Sequence, residues 1–382
     1  MTAPATPFGP PRRSALREFG SAVATIMVKE LRSRMRGRRA FIVLTIYLAV
    51  LAAIAYGVYV IVAPAARDAA AGGFGFGFGQ ANASARVGQS IFAVLSVFQV
   101  ILVAVMAPAF TAGQISLERE KQTLDLLIST PMRPGAIIVG KLLTALAFVV
   151  LMIVAAIPIT AIVLMYGGAS VDDIVRQQAV LLAVAIGFGA VGIFASALMR
   201  RTQSATVVTY CIVLVLTLGS AMVHALWTEV SIRNEEGFPI GATPSAPEQL
   251  RYLNPMVAML DIVSAVEADG PTRFTRSLYE LFGRDLAGAA FAAGCDGIEC
   301  RPIFPGEGDD PFADVVPPNQ SGHWWPRVSI SFVVLAALLT IASMRLVVPP
   351  GMRSAFRRRS RYGTVESRDP APLIEELPEP ER

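Results

Sequence analysis

Histidine occurs only twice and cysteine and lysine three times each in this chain of 382 residues, and each shortage removes a class of function. His224 and His323 leave little for general acid–base work. Three cysteines do not make a disulfide scaffold. The few lysines (Lys29, Lys121, Lys141) among 33 basic residues point to a GC-rich bacterial genome. No HExxH is present, no GxSxG with a usable histidine and acid, and no paired acids inside an apolar run, so the chain offers no catalytic constellation. The main polar residues at depth in those runs are Gln99, Thr209, Thr217 and Ser220, none of them charged. Ion-driven carriers and proton pumps usually need an ionisable group there.

What is abundant is hydrocarbon. Hydrophobic residues make up 54% of the chain, charged ones 16%, and the mean hydropathy is +0.55, which is too apolar for a soluble protein of this size. Six runs are long enough to cross the roughly 30 Å hydrocarbon core of a bilayer: 40–62, 90–112, 142–166, 178–199, 204–226 and 328–348. If the N-terminus is inside, 23 of the 33 lysines and arginines fall on the inner side and ten on the outer, while acids run the other way, 11 against 18. Excess basic charge marks the cytoplasmic side, so both termini are expected there. The fold class is thus an all-α polytopic membrane protein with six transmembrane helices.

Between the second and third runs lies the polar stretch from Gln114 to Lys141. Leu117, Leu124, Leu127 and Ile128 fall on one side of a helix, and Glu118, Arg119, Lys121, Gln122 and Asp125 cover the other. Thr130-Pro131 ends that helix, because a residue before proline is pushed out of the α region, and Pro134 reinforces the stop. The pattern is that of a docking element over 114–131 at the cytoplasmic membrane surface.

The rest of the chain divides around these elements. Residues 1–13 are proline-rich and expected to be disordered; 14–39 form a basic amphipathic helix suited to the interface. The glycine-rich stretch Gly72 to Gly79 lacks the helix N-terminus and the cytoplasmic address of a phosphate cradle and is expected to be a flexible external loop. Pro158 should kink the third span. Gly187, Gly189, Gly192 and Ser196 permit close helix approach in the fourth, favouring packing within the chain over a dimer seam. Residues 227–327 form a large external loop. It contains Asn254-Pro255, followed by a helical stretch that is either re-entrant or interfacial. It also holds Cys295 and Cys300, whose C-x4-C spacing would let them pair in an oxidising compartment; a metal site there would have only His323 to join them. His224, Trp227, His323, Trp324 and Trp325 are expected to form an outer aromatic belt. Arg353 to Arg361 would be held by anionic lipid, within a tail (349–382) that ends acidic and disordered. Gly135 to Lys141 satisfies GxxxxGK, but Leu142 stands where magnesium coordination needs Ser or Thr and no strand precedes it.

The stretch from Glu118 to Lys141 resembles the membrane subunit of ATP-binding-cassette transporters of the type-2 (exporter) permease family. The family's segment runs E-R-E-x-x-T-L-x-L-L-x-x-T-P-x-x-x-x-x-I-x-x-x-K, matched here by Glu118, Arg119, Glu120, Thr123, Leu124, Leu126, Leu127, Thr130, Pro131, Ile137 and Lys141. Six spans, the Lys29-Glu30-Leu31-Arg32 helix before the first and Asn254-Pro255 before the last extend the likeness. It implies a permease subunit of the bacterial cytoplasmic membrane with no ATPase site and no cofactor of its own. Its partners would be a separate ABC ATPase that binds the ATP and a second permease copy or paralogue; no nucleic-acid partner is expected. Glu118 to Pro131 would be the coupling helix seated in the ATPase, with Glu118, Arg119 and Glu120 holding it in that seat or against the interfacial helix. The alternative is a membrane anchor that passes ATPase-driven force to an external assembly without transporting anything.

Overall fold

The computed structural model of the protein describes residues 20, 21, 23–25, 27–29, 38–72, 78–123, 134–233, 248–267, 273–282 and 324–347. Among these residues there are helices and no strand. In chain order they are α1 (Arg38–Gly72), α2 (Phe78–Thr111), the short α3 (Ser116–Glu120), α4 (Pro134–Tyr166), α5 (Val171–Leu198), α6 (Thr202–Leu214), a π turn (Val215–Gly219), α7 (Ser220–Arg233), α8 (Pro255–Val266), α9 (Arg273–Phe282) and α10 (Trp324–Val347). Six helical stretches are long and apolar enough to cross a membrane, one for each expected run. All are extended at one end or both, because polar residues beyond the hydrocarbon core still continue the backbone ladder. Gly72 closes α1, and Phe78 and Gly79 begin α2, so the expected glycine-rich loop is narrowed to 73–77, which lie outside the described residues. The helix α4 runs through Pro158 without interruption.

The bundle is assembled around α5, which is buried along most of its length and packs against α2, α4, α6 and α10. Its start is set by a capping box: Asp173 N–H donates to Ser170 Oγ (3.2 Å) and Ser170 N–H to Asp173 Oδ2 (2.9 Å). Its small residues face neighbours within the chain, as expected. A Cβ on Gly187 would overlap Phe332 of α10, one on Gly189 would lie 2.7 Å from Leu146 of α4, and one on Gly192 would overlap Thr111 of α2. Close approach through glycine is what lets α2, α4 and α10 share one central helix. Phe188 and Phe332 fill the layer between them as an edge-to-face pair with centroids 5.1 Å apart. By contrast α1 and the fifth span (α6, π turn, α7) expose most of their apolar surface.

The Asn254-Pro255 stretch resolves the choice between re-entrant and interfacial. Every residue of α8 from Pro255 to Val263 is buried, so it has no solvated face, and its start lies deep. Asn254 Nδ2 donates to Thr217 O in the π turn (3.1 Å) and to Ser220 Oγ just after it (2.9 Å), Thr217 lying about 22 Å along the fifth span from Thr202 at 1.5 Å per residue. A π turn leaves backbone groups out of the regular ladder, and the amide takes up one of them. From there α8 rises toward the start of α10, where the buried Asp261 accepts Trp324 N–H (3.0 Å) and Trp325 N–H (3.1 Å), a carboxylate at the positive end of a helix. Arg251 meets His224 Nε2 at 2.7 Å and lies over the Trp324 ring. His224 and Trp324 are therefore buried rather than parts of an aromatic belt: the folded-back segment brings charged partners that draw them inward. Trp227 remains half exposed, and His323 lies outside the described residues. Tyr279 of α9 donates to Leu260 O (3.3 Å); burial first, and then the neighbouring Glu267 carboxylate, push its pKa well up, so it keeps this proton.

Candidate functional site

The end of α2 prepares the polar segment. Thr111 Oγ1 donates to Ala107 O (3.0 Å) and Gln114 Nε2 to Phe110 O (2.7 Å), so side chains take up carbonyls that a helix end leaves without partners. The chain then turns through 112–115 and makes the single helical turn α3. Two buried backbone donors at this corner, Ile115 N–H and Ser116 N–H, converge on Ser196 Oγ, each at 2.9 Å, and the Ser116 and Ser196 hydroxyls lie 3.2 Å apart. Ser196 thus serves as an acceptor as well as a small residue. Sequence reading missed that role, because nothing in the spacing shows that a corner 80 residues away needs one.

The three charged residues of α3 each reach a different element. Arg119 donates through Nη1 to Met199 O and through Nη2 to Ala197 O, both at 3.2 Å. These carbonyls lie at the end of α5, the negative end of its dipole. Glu120 accepts Thr202 N–H (2.6 Å) and Thr202 Oγ1–H (3.0 Å) at the positive start of α6. Only Met199 to Arg201 separate the two helices, so neighbouring residues of opposite charge meet neighbouring helix ends of opposite polarity. Glu118 Oε1 pairs with Lys141 Nζ of α4 at 2.6 Å, with the lysine side chain 5% and the glutamate 26% exposed. Glu118, Arg119, Glu120 and Lys141 are therefore gathered at one place, where α2, α4, α5 and α6 end.

One expectation changes here. The helix expected to run unbroken from Leu117 to Ile128 stops at Glu120. Gln122 has φ 57°, Gln122 N–H donates to Arg119 O (3.2 Å) and Thr123 N–H to Glu118 O (3.0 Å). This is a Schellman stop with glutamine where glycine is usual. The charged residues of this turn are the ones that face the bundle. Glu118 and Arg119 turn toward the protein while Leu117 is 43% exposed, because helix ends with unpaired backbone groups attract charge more strongly than they attract a leucine. Leu117, Lys121, Gln122 and Thr123 are left on the exposed side. Leu124, Leu127, Thr130 and Pro131 lie outside the described residues, as do Cys295 and Cys300. Of the interfacial helix 14–39, the residues described between 20 and 29 are helical.

Such an arrangement can do mechanical work rather than covalent chemistry. It fastens one polar corner to four membrane helices and leaves a small mixed surface open. Among known families, the one described as ABC-2 family transporter protein matches residues 24–349. A search of curated proteins finds no match.

Proposed function

Because the chain belongs to the ABC-2 transporter family, with a transport role and no ATPase of its own, we propose that it is the membrane-spanning permease subunit of an ATP-driven exporter. In this reading it works in a bacterial cytoplasmic membrane, and a separate ABC ATPase supplies the power. The ATPase seats the segment from Glu118 to Pro131, and a second copy of the chain or a paralogue completes the pathway. The supporting observation is the division of labour on α3. Its charged residues are engaged with the membrane helices, and Leu117 with Lys121 to Thr123 is left uncovered. A handle needs both a grip for its partner and an attachment to the levers it moves. The uncharged character of the spans at depth favours an amphiphilic cargo over an ion.

Membrane-impermeant thiol labelling of Thr123→Cys, followed by purification with the ABC ATPase, tests this reading. Labelling from the inner side alone, blocked when the ATPase is bound, is the expected result. Labelling from the outer side, or equal labelling with and without the ATPase, would overturn it. Mass spectrometry of small molecules that co-purify with the complex then addresses the cargo.

A further inference from the structure

We propose that the turn between the fourth and fifth spans, Ala197 to Thr202, is the second output of the coupling segment, and that Arg119, Glu120, Ser196 and Thr202 are the positioning residues that drive it. This rests on the functional reading above and deepens it. A coupling element between spans two and three would by connectivity move those two alone. Here eight hydrogen bonds join 115–120 to 196–202: two backbone donors on Ser196 Oγ, the Ser116 hydroxyl with those of Ser196 (3.2 Å) and Thr202 (3.5 Å), two guanidinium donors on the Ala197 and Met199 carbonyls, and two donors of Thr202 on the Glu120 carboxylate. Four of the eight involve an ionised group and are of the stronger kind. They also hold both sides of a turn too short to flex on its own. Pushing α3 therefore carries the inner ends of α5 and α6 with it. Because α5 is the packing centre of the bundle, the push reaches α10 as well. The direction of the charges singles out Arg119 and Glu120: exchanging them would set like against like at both helix ends.

The test uses the chain assembled with its ABC ATPase in nanodiscs, with Cys211, Cys295 and Cys300 replaced by Ser. Nitroxide pairs are placed at Phe41→Cys/Lys121→Cys and at Phe41→Cys/Arg200→Cys, three positions that are all exposed. Distances are compared between the nucleotide-free and the ADP–vanadate-trapped states. In the otherwise native chain both pairs are expected to shift. In Arg119→Gln/Glu120→Gln the 41–121 shift is kept and the 41–200 shift is lost. Glu120→Gln alone, which retains an acceptor for Thr202 and is the milder change, should lower the second shift without abolishing it. A full 41–200 shift in the double variant would overturn the proposal, as would a native chain in which only the 41–121 pair moves. If neither pair moves in the native chain, the functional reading fails and the proposal with it.

Discussion

Replacing Ser196 by alanine is the sharpest probe of the corner beneath the bundle. The change deletes one oxygen from a fully buried site and opens almost no cavity, so its effect is nearly all hydrogen bonding. Two backbone N–H groups, of Ile115 and Ser116, lose the acceptor they share at 2.9 Å. Each buried donor left without a partner costs about 1–3 kcal/mol. Water entering from the nearby surface should recover part of one of them, which leaves an expected loss of about 2–3 kcal/mol. Unfolding by SDS in mixed micelles, followed by far-ultraviolet circular dichroism, gives the free energy; hydrogen exchange at residues 115 and 116 gives the local effect. Ser204→Ala is the control, since its exposed hydroxyl bonds only Arg201 O (2.8 Å) within one turn and should cost almost nothing. A loss for Ser196→Ala below about 0.5 kcal/mol, with exchange at 115 and 116 unchanged, would refute the view that Ser196 holds this corner.

Three other substitutions test separate parts of the fold by the same unfolding assay. Gln122→Gly should stabilise the chain by about 1 kcal/mol, because glutamine at φ 57° bears a strain that glycine does not; destabilisation would mean that the stop is held by the glutamine side chain. Gly192→Ala should cost about 1–3 kcal/mol, since the new methyl overlaps Thr111 and approaches Ala112 N at 3.1 Å; an unchanged midpoint would show that α2 and α5 separate freely. Asp261→Ala should cost about 2–4 kcal/mol by stripping the acceptor from the first two N–H groups of α10. Asp261→Asn, which keeps an oxygen there, should cost less, and equal losses would remove the hydrogen bonds as the cause.

The spans were legible in the sequence because a bilayer imposes a length and a composition that no other environment demands. The glycine stripe on α5 was legible for a related reason: small residues at depth have few uses besides close packing. The segment between the second and third spans could be found from its polarity, but what each of its faces meets could not. Periodicity separates an apolar from a polar face but does not name the neighbours, and those of α3 are helix ends, whose carbonyls and N–H groups have no signature in the side-chain sequence. The partners of Arg119 show this most clearly, since Ala197 and Met199 contribute only backbone oxygen. The early stop at Gln122 was hidden as well, because glutamine carries no turn signal. Trp324 and His224 looked like belt residues because the spacing could not show that the stretch around the expected helix after Asn254-Pro255 brings Arg251 and Asp261 back into the bundle.

The placement of charge also bears on how such a bundle could move. Among the described residues, buried or half-buried charges lie toward the two ends of the spans: Lys141, Glu118 and Arg119 at the α3 end, Arg251, Asp261 and Glu267 toward the opposite one. Between them the contacts are neutral. Gln177 donates to Gln99 at 2.7 Å, Gln99 reaches the Tyr47 hydroxyl at 3.4 Å, Tyr210 donates to Val105 O at 3.1 Å and Asn254 to Thr217 O at 3.1 Å, beside glycines packed on apolar side chains. Breaking a buried ion pair by removing one partner costs about 3–5 kcal/mol, whereas hydrogen bonds between membrane helices average about 0.6 kcal/mol. Moving α5 against α4 or α6 by itself would have to undo the charged contacts at the inner end. Tilting them together undoes only weak contacts at mid-depth, where small residues can slide. The cheaper motion is therefore a collective swing of α2, α4, α5 and α6 about their clasped inner ends. A cross-link between α3 and the end of α5, at residues 119 and 199, should leave that swing intact, and its abolishing the swing would show that α5 moves separately from α3.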